Sequence, residues 1–541
     1  MYRLIQFFFK RNSTINYIEH CKKIFPKKPT NKKLNNIILV EFNNFQILHL
    51  IFPYLISFFN KNNTSQIVAY HSHFLLSYPI VNSLKTNLKI LIANFFSFKT
   101  FGIYKSFGVD TFLKFKLNEI IKKKVNKQIT ILRKQIKTKD DILKVYTDKI
   151  YVGDLIYDTF LKKNYSKEPT INIEDKEFWE FLREFYILFF NWQSFFNTNK
   201  IKVTIASHCT YTIGLPLRFC AKKNGKSLVV KENEIIKITK DDYFQTAHHK
   251  YFSKIFSKFK KQQKKKFIKI AKKNLDLRIN GSVKDIPYMT NSSYGKKNKI
   301  FKNVLSNSRK FKILIAPHDF VDGPHFSGNF IFPDMFEWIK FLVQLSKDTQ
   351  FEWYLKLHPK MDNKWRKYQN YTSKVIDDLC YKSNIKILDR NTSHNDIIQS
   401  GINLALTVNG TIAHEYAAKG INVINASKNN PHSSYDFNLH AKNIAEYRKM
   451  ILRGKNLKNK IDKNKVYEYY FMKYIFKSQN WFFEDYNKFL SKLSNYHDQW
   501  TKKVYDIWIE NYDQNIDRKI FNKINKFINN NDLTYYIKDI V

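Results

Sequence analysis

NLALTVNGTIAHEYAAKGINVINAS, Asn403 to Ser427, reads as a buried strand, a tight turn, a helix and a second strand in immediate succession. The apolar run stops at Asn409, and Gly410 gives the backbone room to turn sharply. Thr411 begins a helix whose first N–H groups are open to an anion, and a diphosphate fits such a place. Glu415 lies one turn further in, where its carboxylate can accept hydrogen bonds from a ribose or simply complement the positive end of the helix. The helix TIAHEYAAKG runs to Gly420, and NVINAS (Asn422 to Ser427) returns as a strand. Strand, helix and strand at this spacing form the repeating unit of a parallel sheet.

Upstream, the same pattern recurs in KILIAPH (Lys312 to His318), WYLKLHP (Trp353 to Pro359) and IKILD (Ile385 to Asp389), with FPDMFEWIKFLVQLSKD and TSHNDIIQSG as helices between strands. Ligands of open α/β sheets bind beyond the carboxyl ends of the strands, so the polar residues just past each apolar run are the candidates. They are His318, Asp319, Asp322, Gly323, Pro324 and His325 after the first strand, His358 and Pro359 after the second, Ser393 to Asp396 after the third, and Asn409, Gly410 and Thr411 after the fourth.

The first half carries a similar series. NIILVEF (Asn36 to Phe42), a helical QILHLIFPYLISFFNK and QIVAYHS open it, and LKILIANFF (Leu88 to Phe96) continues it. A basic helical stretch from about Phe112 to Lys139, KIYVGDLIYDTFLKKN (Lys149 to Asn164) and a helix rich in Trp and Phe from Asp175 to Asn197 follow; KVTIASH and KSLVVKEN are strands around the helix LPLRFCAKKNG. The expected organisation is a basic N-terminal arm at 1–34, a Rossmann-like domain at 35–300, a second at 301–465 and a helical extension at 466–541. The arm is expected to be irregular, with Pro26 and Pro29 interrupting any helix in it. Residues 251–310 have the composition of an interdomain spacer, and the aromatic tail (Phe476, Trp481, Phe482, Phe483, Trp500) is placed to cross back onto the first domain.

A chain of 541 residues with 43% hydrophobic and 16% aromatic residues folds as two substantial domains. Its net charge of +47 draws it toward anions, although enrichment in Lys, Asn, Ile, Phe and Tyr is also what an AT-biased genome produces. No zinc knuckle, RNP-type motif or helix-turn-helix supports a nucleic-acid partner. Cys21, Cys209, Cys220 and Cys380 are scattered, with neither disulfide nor zinc spacing, which fits a reducing compartment. The most apolar stretch, Ile37 to Phe59, contains Glu41, Asn43, Asn44, Gln46, His49 and Pro53, so no spanning helix is expected.

LKLHP (Leu355 to Pro359), followed about fifty residues later by TVNGTIAHEYAAKGINVI, resembles the C-terminal domain of bacterial capsule and surface-polysaccharide glycosyltransferases. IYVGDLIYDTFLK, IASHCTYTIGLPLRFCAKKNG and APHDFVDGPH extend the resemblance from about residue 36 to 450. It implies an α/β fold of two Rossmann-like domains facing across a cleft (GT-B) with a helical C-terminal tail. It also implies a nucleotide-sugar donor as substrate, no cofactor and no metal, and an oligosaccharide or lipid-linked acceptor. In those relatives the histidine of the HP pair contacts the donor phosphate, so His358 and Pro359, with Lys356, Asn409, Gly410, Thr411 and Glu415, are the implied donor site, Lys356 and Lys360 being its charge partners. An inverting transferase needs a group to take the acceptor proton. Asp322 is the first candidate and Asp319 the second, with His318 and His325 as imidazole candidates; a loop held by Asx turns is the structural alternative. Asp154, Asp158, His208, Tyr211 and Arg218 are the acceptor-side candidates.

A sugar-nucleotide epimerase of the same fold and a non-catalytic scaffold of polysaccharide assembly remain as alternatives. The expected location is cytoplasmic. Tyr251 to Asn274 contains ten lysines and no acid, with Phe252, Ile255, Phe256 and Phe259 at helical spacing. Two readings stay open for it: peripheral docking on the anionic inner face of the inner membrane, or aromatic packing against the protein with solvated lysines.

Overall fold

The computed structural model describes residues 12–25, 36–71, 99–115, 117–164, 167–232, 234–284, 292–295, 303–328, 330–359, 366–428, 431–432, 434–477, 482–483 and 485–535. The expected strand LKILIANFF, Lys360 and Trp481 lie outside them. The first half contains β1 (Asn36–Phe42), β2 (Ser65–His71), β3 (Thr111–Leu113), a small hairpin of β4 (Tyr146–Thr147) and β5 (Ile150–Tyr151), then β6 (Ile201–Ala206), β7 (Lys226–Lys231) and β8 (Glu234–Ile238). One sheet runs β3-β2-β1-β6-β7-β8, with every neighbour parallel except β7 and β8. The second half contains β9 (Lys312–Ile315), β10 (Glu352–Lys356), β11 (Ile385–Leu388), β12 (Leu404–Thr407), β13 (Asn422–Asn425) and β14 (Leu439–His440). Its sheet runs β11-β10-β9-β12-β13-β14 and is parallel throughout. The expected α/β architecture of two parallel-sheet domains is therefore the observed one.

Short apolar strands such as KILI and LALT are buried at every position, as strands covered on both faces must be. Strand order reverses between β1 and β6 in one sheet and between β9 and β12 in the other, and such reversals open a crevice at the carboxyl ends. The register Leu404↔Ile313 to Leu406↔Ile315 makes the chain leave β9 and β12 side by side. His318 and Gly410 are thereby brought together.

The two domains are joined through the helix Gly153–Lys163 and the loop after β9. Asp334 caps the helix Met335–Lys347 by accepting the Glu337 N–H at 2.9 Å, and also accepts the Tyr157 hydroxyl of the first domain at 2.5 Å. Phe320, Val321, Phe330 and Trp338 share one apolar cluster with Tyr157, Phe160 and Phe178.

Three expectations need correction. The arm contains a helix, Ser13–Ile24, whose Tyr17 and Cys21 are buried; it ends just before Pro26. The segment expected to be a spacer is folded: Phe252–Ser257 and Lys261–Ile279 are helices packed on the helical segment Lys463–Phe476. Phe252, Ile255, Phe256 and Phe259 are buried there, so they pack inward and are not offered to lipid, whereas Lys265, Lys266, Lys269, Lys272 and Lys273 face solvent. The parallel series of the first sheet ends in an antiparallel edge strand, β8, which Leu533 to Tyr535 of the tail then cover. As expected, the tail crosses back: Phe482, Phe483, Tyr486, Val504 and Trp508 are buried against Ile47, Ile51, Tyr54 and Leu55. Among the described residues no helix is long and apolar enough to cross a membrane.

Candidate active site

The crevice of the second domain is built from strand ends. Gly410 has no side chain, and a Cβ there would lie 2.7 Å from Thr407 Oγ1 and 3.3 Å from His318 Nε2, so only glycine lets the His318 ring sit against this turn. Thr407 donates to the Ala316 carbonyl at 3.1 Å and ties the two strand ends together. Asn409 is buried and Thr411 half-buried beside them. His358 is exposed at the end of β10 yet hemmed in by protein, as at an open crevice; these surroundings, then Lys356, push its pKa down and keep the ring neutral. Burial, then the neighbouring His358, pushes His318 down to about 4. Lys356 is buried at the end of β10, and burial pushes its ammonium down to about 8 against the pull of Asp389 and Glu415. Pro359 is buried, its carbonyl accepting from Gln369 at 3.3 Å.

The acidic loop after β9 divides its carboxyls between two roles. Asp322 is exposed and already paired, with Lys162 Nζ at 2.9 Å and the Tyr211 hydroxyl at 3.3 Å, both from the first domain. Asp319 is half-buried, and burial together with the charge of Asp322 raises its pKa to about 6, although Lys162, Thr372 and Arg390 pull the other way. Gly323 has φ +61°, and a Cβ there would meet Tyr211 and Asp158, so this turn lets the loop close on the first domain. His325 then reaches Asp158, Nδ1 to Oδ1 2.5 Å, and the two form a buried pair across the domain seam. His325 is thus placed to hold the loop against the helix Gly153–Lys163.

Across the crevice stands His208, just past β6, bonded through Nδ1 to Ser207 Oγ at 2.7 Å. Burial, then Lys231, pushes its pKa down to about 3, while Asp322 of the other domain pulls it up. His208, Lys162 and Tyr211 on one side therefore face His318, Asp319, Asp322 and His358 on the other.

Other candidates are occupied by structure. Arg218 and Asp154 form a bidentate pair at 2.7 and 2.6 Å, both buried, with the guanidinium also donating to the Tyr151 carbonyl and lying over Tyr243; this pair clamps β5 and removes both from acceptor contact. Glu415 is 4% exposed and both its oxygens are taken, by Arg278 at 2.6 Å and by the Tyr294 hydroxyl at 2.7 Å, so it anchors the expected spacer to the second domain and is not open to a ribose. Ser393 caps its helix and His394 bonds to Tyr416.

Sequence reasoning missed Arg390, which stands two residues past β11 and donates to the His358 carbonyl at 3.2 Å. The strand-end rule that marked His358 applies to it equally. Lys162 and Tyr294 carried no local signal, because their partners are remote in sequence. Among the described residues no group of three or more His, Cys, Asp or Glu side chains is placed to hold a metal ion.

No family model matches the chain, and no curated protein does. Among solved structures, the Thermosulfurimonas dismutans KpsC beta Kdo 2,4 transferase is similar at 10% identity over 51% of this chain and 85% of that one, TM-score 0.30. The Methanocaldococcus jannaschii UDP-GlcNAc 2-epimerase is similar at 10% identity over 80% and 97%, TM-score 0.25. A UDP-glucose: anthocyanidin 3-O-glucosyltransferase is similar at 8% identity over 89% and 99%, TM-score 0.20.

Proposed function

We propose that the chain is a glycosyltransferase, taking a sugar from a nucleotide-sugar donor in the second domain and passing it to a hydroxyl of a surface-polysaccharide or lipid-linked acceptor held by the first. What supports this reading is one juxtaposition: His318, Asp319, His358 and Gly410 emerge from three adjacent strand ends and face His208, Lys162 and Tyr211 of the other domain. Lys356, Arg390 and the neutral His358 are suited to a diphosphate: two cations and a hydrogen-bond donor in a crevice partly shielded from water offset the charge that grows on the leaving group. A phosphate beside Lys356 would also restore the proton preference that burial weakens. Asp319 is the base. Its carboxylate takes the acceptor proton while the acceptor oxygen bonds to the anomeric carbon and the bond from that carbon to the diphosphate oxygen breaks. A carboxyl with a pKa near 6 is mostly ionised at neutral pH and still basic enough for that task. Asp322, paired with Lys162, orients the loop.

Label transfer from UDP-, GDP- and CMP-linked sugars into a polar-lipid and polysaccharide extract tests this. Product should form only with the extract present, and Asp319→Asn should lower turnover by roughly a hundredfold or more with donor affinity nearly intact. Isomerisation of the donor at equal rates with and without extract would favour the epimerase alternative.

A further inference from the structure

The tail contributes more than packing. Its segment Phe471–Phe476 is π-helical, a wider turn that is frequent at functional sites. Lys473, half-buried in that turn, forms no ion pair among the described residues, whereas its cationic neighbours each have a carboxylate: Arg278 has Glu415 at 2.5 Å and Lys477 has Glu234 at 2.7 Å. Lys473 Nζ lies 5.1 Å from the ring centre of Tyr474 and 5.6 Å from that of Tyr469. Arg278 and the His414 ring approach the same Tyr474 ring at 5.4 and 5.7 Å. Around this point, His414 Nε2, His249 Nδ1 and the Tyr469 hydroxyl are buried without a hydrogen-bond partner. An ammonium with no carboxylate in contact among the described residues, favoured only from a distance by Glu415 and Glu234, and three unsatisfied polar groups are each costly to bury. All of them adjoin the Tyr469 ring, with Lys473 Nζ, His249 and His414 at 5.6, 6.2 and 5.5 Å from its centre, and a cation among hydrogen-bonding groups is the composition of an oxyanion receptor.

We propose that the C-terminal extension supplies an anion-binding subsite, centred on Lys473 with His414, His249 and Tyr469, that receives a phosphate or sugar carboxylate beside the Arg278–Glu415 pair. Burial, then Lys477 and Arg278, pushes the Lys473 ammonium down to about 7 against the pull of Glu415 and Glu234, so a bound anion would hold it charged. The subsite rests on its own geometry and stands or falls independently of the transferase reading.

Calorimetry on the full chain with inorganic pyrophosphate and with glucuronate tests it, the two arms separating a phosphate source from a sugar carboxylate. At least one should bind at millimolar concentration, Lys473→Gln should weaken it by about tenfold or more, and Lys473→Arg should retain it. The bound anion should also protect Lys473 of the wild-type protein from acetylation, read by mass spectrometry, which keeps the test valid if Lys473→Gln folds poorly. Pyrophosphate binding that depends on His358 and not on Lys473 would overturn the subsite and leave the donor site standing. So would no binding of either anion, or acetylation of Lys473 unaffected by them.

Discussion

Asp319 is held where a carboxylate is disfavoured, and its raised pKa carries a cost in stability. A carboxyl whose folded-state pKa is raised binds its proton more tightly in the folded chain. The stabilisation is complete below the unfolded value near 4 and is lost as pH rises through about 6. Asp319→Asn should therefore stabilise the protein at pH 7 by on the order of 1–3 kcal/mol, with the gain vanishing below pH ~4, read as melting temperature against pH. Activity should have the opposite sense: the wild-type rate should climb through pH ~6 as the base ionises. A flat profile, or a variant no more stable at neutral pH, would mean that Asp319 is not a strained base. HDFVDGPH put Asp322 ahead of Asp319, although both stand past the same strand and nothing in that stretch separates their surroundings. The proposed reversal rests on Lys162, 160 residues from Asp322, which is in contact with Asp322 and acts on the more buried Asp319 only from a distance.

The helix Gly153–Lys163 shows how an element can look like a site and serve as a clamp. Asp154 and Arg218 bind each other in the dry interior, and such a pair is expensive to break from one side. Arg218→Met should cost about 3–5 kcal/mol by leaving a buried carboxylate alone, while Arg218→Met with Asp154→Leu should recover most of it. Urea denaturation reads both, and equal losses from single and double variants would contradict the clamp. The second sheet was legible in the sequence because each strand is a short apolar run ending in polar residues, as KILIAPH and LTVNGT do. The pairings of Asp154, Asp158 and Glu415 were not, since Arg218, His325 and Arg278 are separated from them by 64, 167 and 137 residues.

Across the whole molecule, the tail from Phe482 onward is part of the first domain, while its start, to Phe476, packs on the second. The helices Lys503–Glu510 and Gln514–Asn529 bury Val504, Tyr505, Trp508, Ile520, Ile524 and Phe527 against the helix Gln46–Phe59, with Tyr505 bonded to His49 at 2.6 Å and Asp517 to Tyr54 at 2.7 Å. At about 1.5–3 kcal/mol for each large apolar side chain, this is comparable with the roughly 5–15 kcal/mol that holds a domain folded. Truncation after Trp500 should abolish the cooperative melting of the first domain, and an unchanged melting temperature would refute that role. The aromatic rhythm of the tail announced the packing. The lysine-rich segment left two readings open, and the packed one is observed: its lysines are largely solvated while its rings, which the membrane reading needed, are core. The central claim concerns the crevice at the β9/β12 switch point, and thermal shift with UDP-, GDP-, CMP- and CDP-linked sugars tests it most directly. At least one should stabilise the wild-type chain, by about 2.7 kcal/mol at a hundredfold excess over its Kd. His358→Ala and Gly410→Val, which removes room held between Thr407 and His318, should lose that shift. No shift with any nucleotide sugar, or an equal shift in both variants, would contradict the account.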